Sequence, residues 1–111
     1  MNESREILEL EESVGTYLKN VPNGVIYIAN SLKEDELYKG LKAISDFSEG
    51  MMWLNDATRI LKNNGKNIFI DFTKIEIYLV EINEGLEKED YLLVADLFEY
   101  EISPFFQAIN G

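Results

Sequence analysis

Apolar residues recur along most of the chain at spacings of three, four or seven residues, which is the period of an amphipathic α-helix. Three such stripes precede residue 88: Ile7, Val14, Leu18, Val21, Val25, Ile28 and Leu32; Leu37, Leu41, Ile44, Phe47, Met51, Leu54, Thr58 and Leu61; and Ile68, Phe72, Ile75, Leu79, Ile82 and Leu86. A fourth amphipathic pattern covers residues 90–109. With short connections, four such helices predict an all-α, antiparallel up-down four-helix bundle that forms a single domain over residues 1–111.

Turn and cap signals set the expected limits of these helices. The first stripe passes straight through Pro22, so it predicts one long helix kinked near Pro22 or two collinear pieces. The sequence Ser31-Leu32-Lys33-Glu34 has the form of a capping box, which predicts that the second helix begins near residues 32–36. Asn63-Asn64-Gly65 is typical of a helix end.

Residues 67–87 are rich in β-branched and aromatic side chains, which are also frequent in strands. The four-three spacing nevertheless fits the whole segment. A hairpin would need a turn around Thr73-Lys74, which lacks the glycine or asparagine of a tight turn. We therefore expect one helix over residues 67–87.

Glu101 is the one acidic side chain that a straight helix over residues 90–109 would place within the apolar face. That face carries Tyr91, Val94, Ala95, Leu97, Phe98, Ile102, Phe105 and Ile109. Burying a carboxylate alone is very costly, so we expect Glu101 to be paired or hydrogen-bonded and to fix the register of the bundle. The candidate partners are Lys39, Lys42, Arg59, Lys62, Tyr78 and Tyr100.

Pro104 lies inside the same helix and removes the hydrogen bond that would reach the carbonyl of Tyr100. We expect the chain beyond it to fold Phe105 and Phe106 onto the end of the bundle. A functional hinge is the alternative.

The sequence Gly50-Met51-Met52-Trp53-Leu54 places an apolar cluster in the second helix. Methionine and tryptophan are frequent at adaptable binding surfaces, but they also fill cores, and we interpret Met52 and Trp53 as core residues. Gly50 would then allow a close approach between helices. Tyr17 flanks the first stripe and is expected at the edge of the core or, alternatively, at a groove.

The composition excludes several kinds of active site. The chain has no cysteine and no histidine, so thiolate nucleophiles, catalytic triads that use histidine and metal sites that use either residue cannot form. Three possibilities remain: chemistry at a magnesium or calcium ion bound by carboxylates, acid–base chemistry by lysine or tyrosine, or no catalysis. We expect no enzymatic activity and no cofactor.

The net charge of −11 opposes binding to nucleic acid or to anionic membranes. Residues 76–101 hold nine acidic residues and one basic residue, Lys88, which indicates a solvated acidic face or a surface that attracts a basic partner. No apolar run approaches the length of a membrane span, and the first residues lack the pattern of a secretory signal. These features predict a cytoplasmic protein.

Carboxylate pairs at helical spacing offer an alternative function. All-α nucleoside triphosphate pyrophosphohydrolases bind magnesium through Glu-x-x-Glu and Glu-x-x-Asp motifs on adjacent helices. Glu81 with Glu84, and Asp96 with Glu99, could supply two such pairs. The same spacings also occur on an ordinary solvated acidic helix.

Two segments resemble small acidic helical proteins of Gram-positive bacteria: residues 49–54 (EGMMWL) and residues 90–104 (DYLLVADLFEYEISP). The resemblance covers an Asp-Tyr-x-x-x-Ala-Asp-Leu-x-Glu-Tyr-Glu-x-x-Pro stretch that follows a Glu-Gly-x-x-Trp helix. It implies a Gram-positive origin and no particular activity. The expected fold is also similar to that of the flagellin-type export chaperones, in which an apolar groove between helices holds a client helix.

These observations lead us to expect a non-enzymatic protein that acts through protein–protein contact, as an adaptor, a chaperone-like protein or a homodimer. The candidate structural or partner-contact residues are Met52, Trp53, Tyr100, Glu101, Phe105 and Phe106. The alternative is the magnesium-dependent pyrophosphohydrolase.

Overall fold

A computed structural model describes residues 4–110. Helix α1 is Arg5–Lys33, α2 is Leu37–Asn63 and α3 is Phe72–Glu87. A fourth helix consists of α4 (Tyr91–Leu97), a π-helical turn (Phe98–Ile102) and α5 (Ser103–Asn110). The predicted all-α four-helix bundle is confirmed.

Helix α1 holds the bundle together. It packs along α2 on one side and along all three parts of the fourth helix on the other, while α3 packs on α4 and touches α2 only lightly. The order around the bundle is therefore α1, α2, α3, fourth helix. The molecule is a rod of 53 × 23 × 21 Å, because α1 and α2 are much longer than α3.

The core consists of the apolar stripes that the sequence shows. The side chains with no exposed surface are Val25, Ala29, Leu54, Leu61, Ala95, Phe98, Ile102 and Phe106. Phe47 of α2 meets Phe98 and Phe106 edge-on, with ring centroids 5.3 and 6.2 Å apart. Such edge-to-face pairs add to the stabilisation that burial alone provides.

The predicted capping box at Ser31 is wrong. Helix α1 runs through it to Lys33, and the Ser31 side chain is buried. The Glu36 N–H instead donates to the Ser31 carbonyl at 2.9 Å, and Asp35 takes a φ of 60°. This is a Schellman-type helix end, and it is favoured here because Leu32 is still part of the buried stripe.

The same motif ends the next two helices. The Lys66 N–H donates to the Leu61 carbonyl at 3.0 Å across Gly65, whose φ is 83°. The Asp90 N–H donates to the Gly85 carbonyl at 2.9 Å, and Glu89 has a φ of 55°. The helix end predicted at residues 63–65 is confirmed.

The prediction of one helix over residues 67–87 is wrong for its first five residues. Residues 67–71 form no helix, and α3 begins at Phe72. The Asp71 carboxylate caps it by accepting from the Lys74 N–H at 3.1 Å, which favours a start at this point. The segment before the cap buries Ile70 and leaves Phe69 exposed.

The fourth helix contains the main departure from the expected pattern. Pro104 offers no N–H to the carbonyl of Tyr100, and the turn before it is π-helical, with the Ser103 N–H donating to the Phe98 carbonyl. A π turn holds an additional residue, which rotates the side chains that follow it. Glu101 therefore lies in solvent, whereas Ser103 is buried, so the predicted burial of Glu101 is wrong.

Helix α1 continues through Pro22, which leaves the Leu18 carbonyl without its usual backbone donor. The side-chain amide of Asn110 supplies one. It donates to the Leu18 carbonyl at 2.8 Å and also reaches the Phe106 carbonyl at 3.3 Å. The last residue of the fourth helix is thus bound to the position in α1 where the proline breaks the hydrogen-bond ladder.

We expect Asn110→Ala to lower the free energy of unfolding by about 1 kcal/mol, since it leaves a partly buried carbonyl without a donor. In a Pro22→Ala background the helix regains its own donor, so the same change should cost clearly less. Chemical denaturation of the four proteins in this double-mutant cycle measures the coupling. Equal costs in both backgrounds would contradict this role for Asn110.

Candidate functional site

A long concave surface lies between α1 and α2. The part nearer the N-terminus of α1 has a volume of about 950 Å³. The residues that line it are Glu9, Glu12, Ser13, Thr16, Tyr17, Asn20, Asp46, Glu49, Gly50 and Trp53. All four of the charged residues in this lining are acidic. We call this part the acidic groove.

The helical period explains the position of the acidic groove. Residues three or four apart share one face of a helix, so Glu9, Glu12 and Thr16 follow one another along α1. Asp46 and Glu49 follow one another along α2 in the same way. These polar positions flank the buried stripes, and they form the two walls of the groove because α1 and α2 lie side by side.

Two aromatic rings form the floor of the acidic groove. The rings of Tyr17 and Trp53 meet edge-on, with centroids 5.4 Å apart and planes at 71°. Gly50 makes this possible, since a Cβ at that position would collide with the Tyr17 hydroxyl. Partial burial raises the pKa of Tyr17 above its usual value.

The placement of Met52 and Trp53 in the core was wrong. Met51 is buried, but Met52 is 68% and Trp53 38% exposed. The close approach at Gly50 is confirmed, although the group that approaches is the Tyr17 side chain rather than a helix backbone.

A second, apolar pocket continues the groove toward the end of α1. Its volume is about 350 Å³, and its lining consists of Tyr17, Asn20, Val21, Gly24, Val25, Tyr27, Ile28, Ala43, Asp46 and Phe47. Tyr17, Asn20 and Asp46 line both parts. From Glu9 to Ile28, at 1.5 Å per residue, the combined groove is about 28 Å long.

The four carboxylates of the pyrophosphohydrolase alternative do not converge. Glu81 and Asp96 line one small pocket beside α4, whereas Glu99 forms an ion pair with Lys33 of α1. Within residues 4–110, no group of three or more acidic residues is arranged to hold a metal ion.

Glu101 also lines that small pocket, and its carboxylate is exposed. Two of its predicted partners are engaged elsewhere, because Arg59 pairs with Asp56 and Lys39 pairs with Glu36. Burial raises the pKa of Tyr78, and the charge of Glu101 raises it further. Glu101 thus lies outside the buried core.

Tyr100, Phe105 and Phe106 have different surroundings. Tyr100 is exposed, and the Lys33 ammonium lies 5.7 Å from the centre of its ring. Phe105 is half-buried against Tyr78, with ring centroids 5.7 Å apart, whereas Phe106 has no exposed surface. Phe106 is therefore a core residue and not a partner contact.

The pair of Lys33 and Glu99 joins α1 to the π-helical turn. Its hydrogen bond lowers the pKa of Glu99 and raises the pKa of Lys33. A hydrogen bond with Glu99 raises the pKa of Tyr100. The π turn is therefore bound to α1 by an ion pair and packs on it through buried side chains.

Sequence reasoning missed the acidic groove itself. Glu9, Glu12, Asp46 and Glu49 are separated along the chain by most of two helices, and only antiparallel pairing brings them together. One signal was available: Tyr17 lies beside the first apolar stripe, where a groove was the alternative interpretation.

A family model described as "Domain of unknown function (DUF8042)" matches residues 9–111. No curated protein and no solved structure matches the chain. No helix within residues 4–110 has the length and apolarity required to cross a membrane.

The ion pair of Lys33 and Glu99 makes stability depend on pH in a defined direction. Its contribution is complete above the unfolded-state pKa of Glu99 and is lost as the pH falls through the lowered folded-state pKa. We expect Glu99→Gln to lower the melting temperature by a few degrees at most near neutral pH, since exposed pairs contribute little. Wild type and variant should converge in acid.

The control is Glu84→Gln, which removes an equal charge from an exposed position on α3. Thermal melts of the three proteins at several pH values make the comparison. A difference between wild type and Glu99→Gln that stayed constant into acid, or that Glu84→Gln reproduced, would contradict a role for the pair.

Proposed function

The chain belongs to the DUF8042 family of domains of unknown function, and we propose that it is a non-enzymatic protein-binding domain, adaptor-like or chaperone-like. The groove between α1 and α2 holds a helix of a partner protein. One face of that helix is apolar toward one end and basic toward the other.

The distribution of charge along the groove is the observation that supports this proposal. Among residues 4–110, four carboxylates and no basic side chain line the acidic groove. One of the four, Glu9, also lies 3.9 Å from the guanidinium of Arg5. The adjoining pocket is lined mainly by apolar residues, of which Val21, Val25 and Ile28 form the buried floor. Complementary charge selects a partner and speeds its association, while apolar burial supplies most of the affinity.

The dimensions also fit a helix. A groove of about 28 Å accommodates roughly 19 residues of helix, or five turns. Helix-in-groove recognition uses anchors three or four residues apart. The exposed part of the Trp53 ring offers an additional contact to a lysine or arginine of the partner through a cation–π interaction.

Other occupants fit less well. Phosphate groups of nucleic acids or anionic membranes would be repelled by the carboxylates. A second copy of this chain carries the same net charge of −11, so a homodimer through this groove would bring like charges together. We assign the protein to the cytoplasm as part of the same proposal.

A synthetic 18-residue helix provides the first test, with leucines on one half of its face and lysines on the other. Trp53 is the single tryptophan of the chain, so its fluorescence reports on the groove directly. We expect a saturable change in emission that weakens as salt increases. The double variant Glu12→Gln/Glu49→Gln should raise the Kd several-fold, up to about tenfold.

The control variant Glu34→Gln/Glu89→Gln removes two charges from exposed positions at the helix connections. It should bind the peptide as wild type does. Equal weakening in both double variants would show a general charge effect and not a groove, and an unchanged Trp53 signal at saturating peptide would reject the proposal.

Filling the apolar pocket should separate binding from stability. Gly24 lines the pocket, and a Cβ there meets no atom within 4 Å. Gly24→Leu should therefore stabilise α1 by about 1 kcal/mol through helix propensity while raising the Kd for the peptide about tenfold or more, because the leucine occupies the site.

Gly15→Leu is the matched control. Gly15 also has open space around it, and it lies on α1 outside both parts of the groove. It should give a similar gain in stability with no change in peptide affinity. Equal peptide affinity in the two variants would show that the Gly24 pocket is not used.

A further inference from the structure

The outer face of α3 and the fourth helix carries a second group of exposed apolar side chains. Ile77 and Val80 of α3, and Leu93 and Tyr100 of the fourth helix, are between 53 and 66% exposed. Leu93 and Tyr100 line a small pocket of about 180 Å³ together with Glu81 of α3. We call these four residues the outer apolar patch.

Helical spacing places carboxylates beside this patch. Glu81 and Glu84 follow Ile77 at four and seven residues, so they share its face of α3. On the other side of the small pocket lie Asp96 and Glu101. The patch therefore carries carboxylates among its apolar side chains.

Several candidate occupants can be compared by their charge. A second copy of the chain would set the same carboxylates against one another, and an anionic membrane would be repelled by them. A helix that combines an apolar stripe with lysine or arginine complements both the apolar side chains and the carboxylates of the patch. Exposed apolar patches on a soluble domain are typical of binding surfaces.

We propose that the outer apolar patch is a second docking site, and that it takes a basic amphipathic helix of a partner protein. The order of helices around the bundle puts it on the opposite side from the groove between α1 and α2. One chain thus holds two basic helices at once. This site does not depend on occupation of the groove.

The test uses an 18-residue peptide with a continuous leucine stripe bordered by lysines, titrated into the full chain. Calorimetry should give two peptides per chain, and amide NMR shifts should appear at Val80, Leu93 and Tyr100 as well as in α1 and α2. The double variant Ile77→Ser/Leu93→Ser should lose one peptide per chain, or weaken that site about tenfold or more, with no change in the Trp53 signal.

Leu92→Ser is the matched control. Leu92 is the neighbouring residue and is 65% exposed, but it lines a different pocket, beside Lys33. It should leave both sites intact. Circular dichroism checks that each variant keeps its fold, which substitutions at exposed positions should not disturb.

The possible results are distinguishable. A single peptide per chain, with shifts only in α1 and α2, would overturn the second site and leave the groove standing. Shifts only at the patch, with Trp53 silent, would overturn the groove and leave the patch standing. A chain that light scattering shows to be a dimer, and that Ile77→Ser/Leu93→Ser converts to a monomer, would identify the occupant as a second copy and overturn the proposal.

Discussion

The buried apolar stripe of α1 is the interaction on which the rest of the structure depends. This helix packs against α2 along one side and against the fourth helix along the other, and α3 is held mainly through the fourth helix. Val25, Ile28 and Ala29 are almost completely buried in consequence. The stripe can be continuous only if α1 continues through Pro22, which it does at the cost of one backbone hydrogen bond. The amide of Asn110 offsets that cost from the other end of the chain.

The same arrangement leaves the outer sides of two helix pairs uncovered, and we call these two surfaces seams. The outer sides of α1 and α2 meet at a groove that no other helix of residues 4–110 covers, and the outer sides of α3 and the fourth helix carry exposed apolar residues. Both seams are bordered by carboxylates. A chain with a net charge of −11 has little tendency to associate with itself through such surfaces, but it attracts basic partners. The proposed functions follow from this combination of open seams and one sign of charge.

The sequence predicted the fold well and the details of the fourth helix poorly. Four helices, the passage of α1 through Pro22 and the end of α2 near Gly65 follow from local patterns, because hydrophobic period and turn residues act over a few neighbours. Glu101 shows the limit of prediction from local patterns. A straight helix puts it among apolar residues, but the π turn before Pro104 rotates it into solvent and buries Ser103 instead. That turn packs on α1 through the buried Phe98 and Ile102, and the apolar spacing along residues 90–109 does not indicate its additional residue.

The capping box at Ser31 fails for the same reason. Its sequence is a good helix start, yet burial of Leu32 and Ser31 extends α1 past it. The apolar pattern predicts Trp53 in the core, but the position of α2 against α1 places it in the lining of the groove.

What the sequence determined by itself was the class of fold, the excluded chemistry and the sign of the charge, since these depend on composition and on contacts close along the chain. What only the tertiary structure decided was which side chains meet. Glu9 and Glu12 of α1 line one groove with Asp46 and Glu49 of α2, and Asn110 reaches Leu18 across 92 positions. The physical reason is that the groove and the hydrogen bond to the Leu18 carbonyl both join residues that are far apart in the sequence. The free energy that brings these residues together comes from burying the whole core at once.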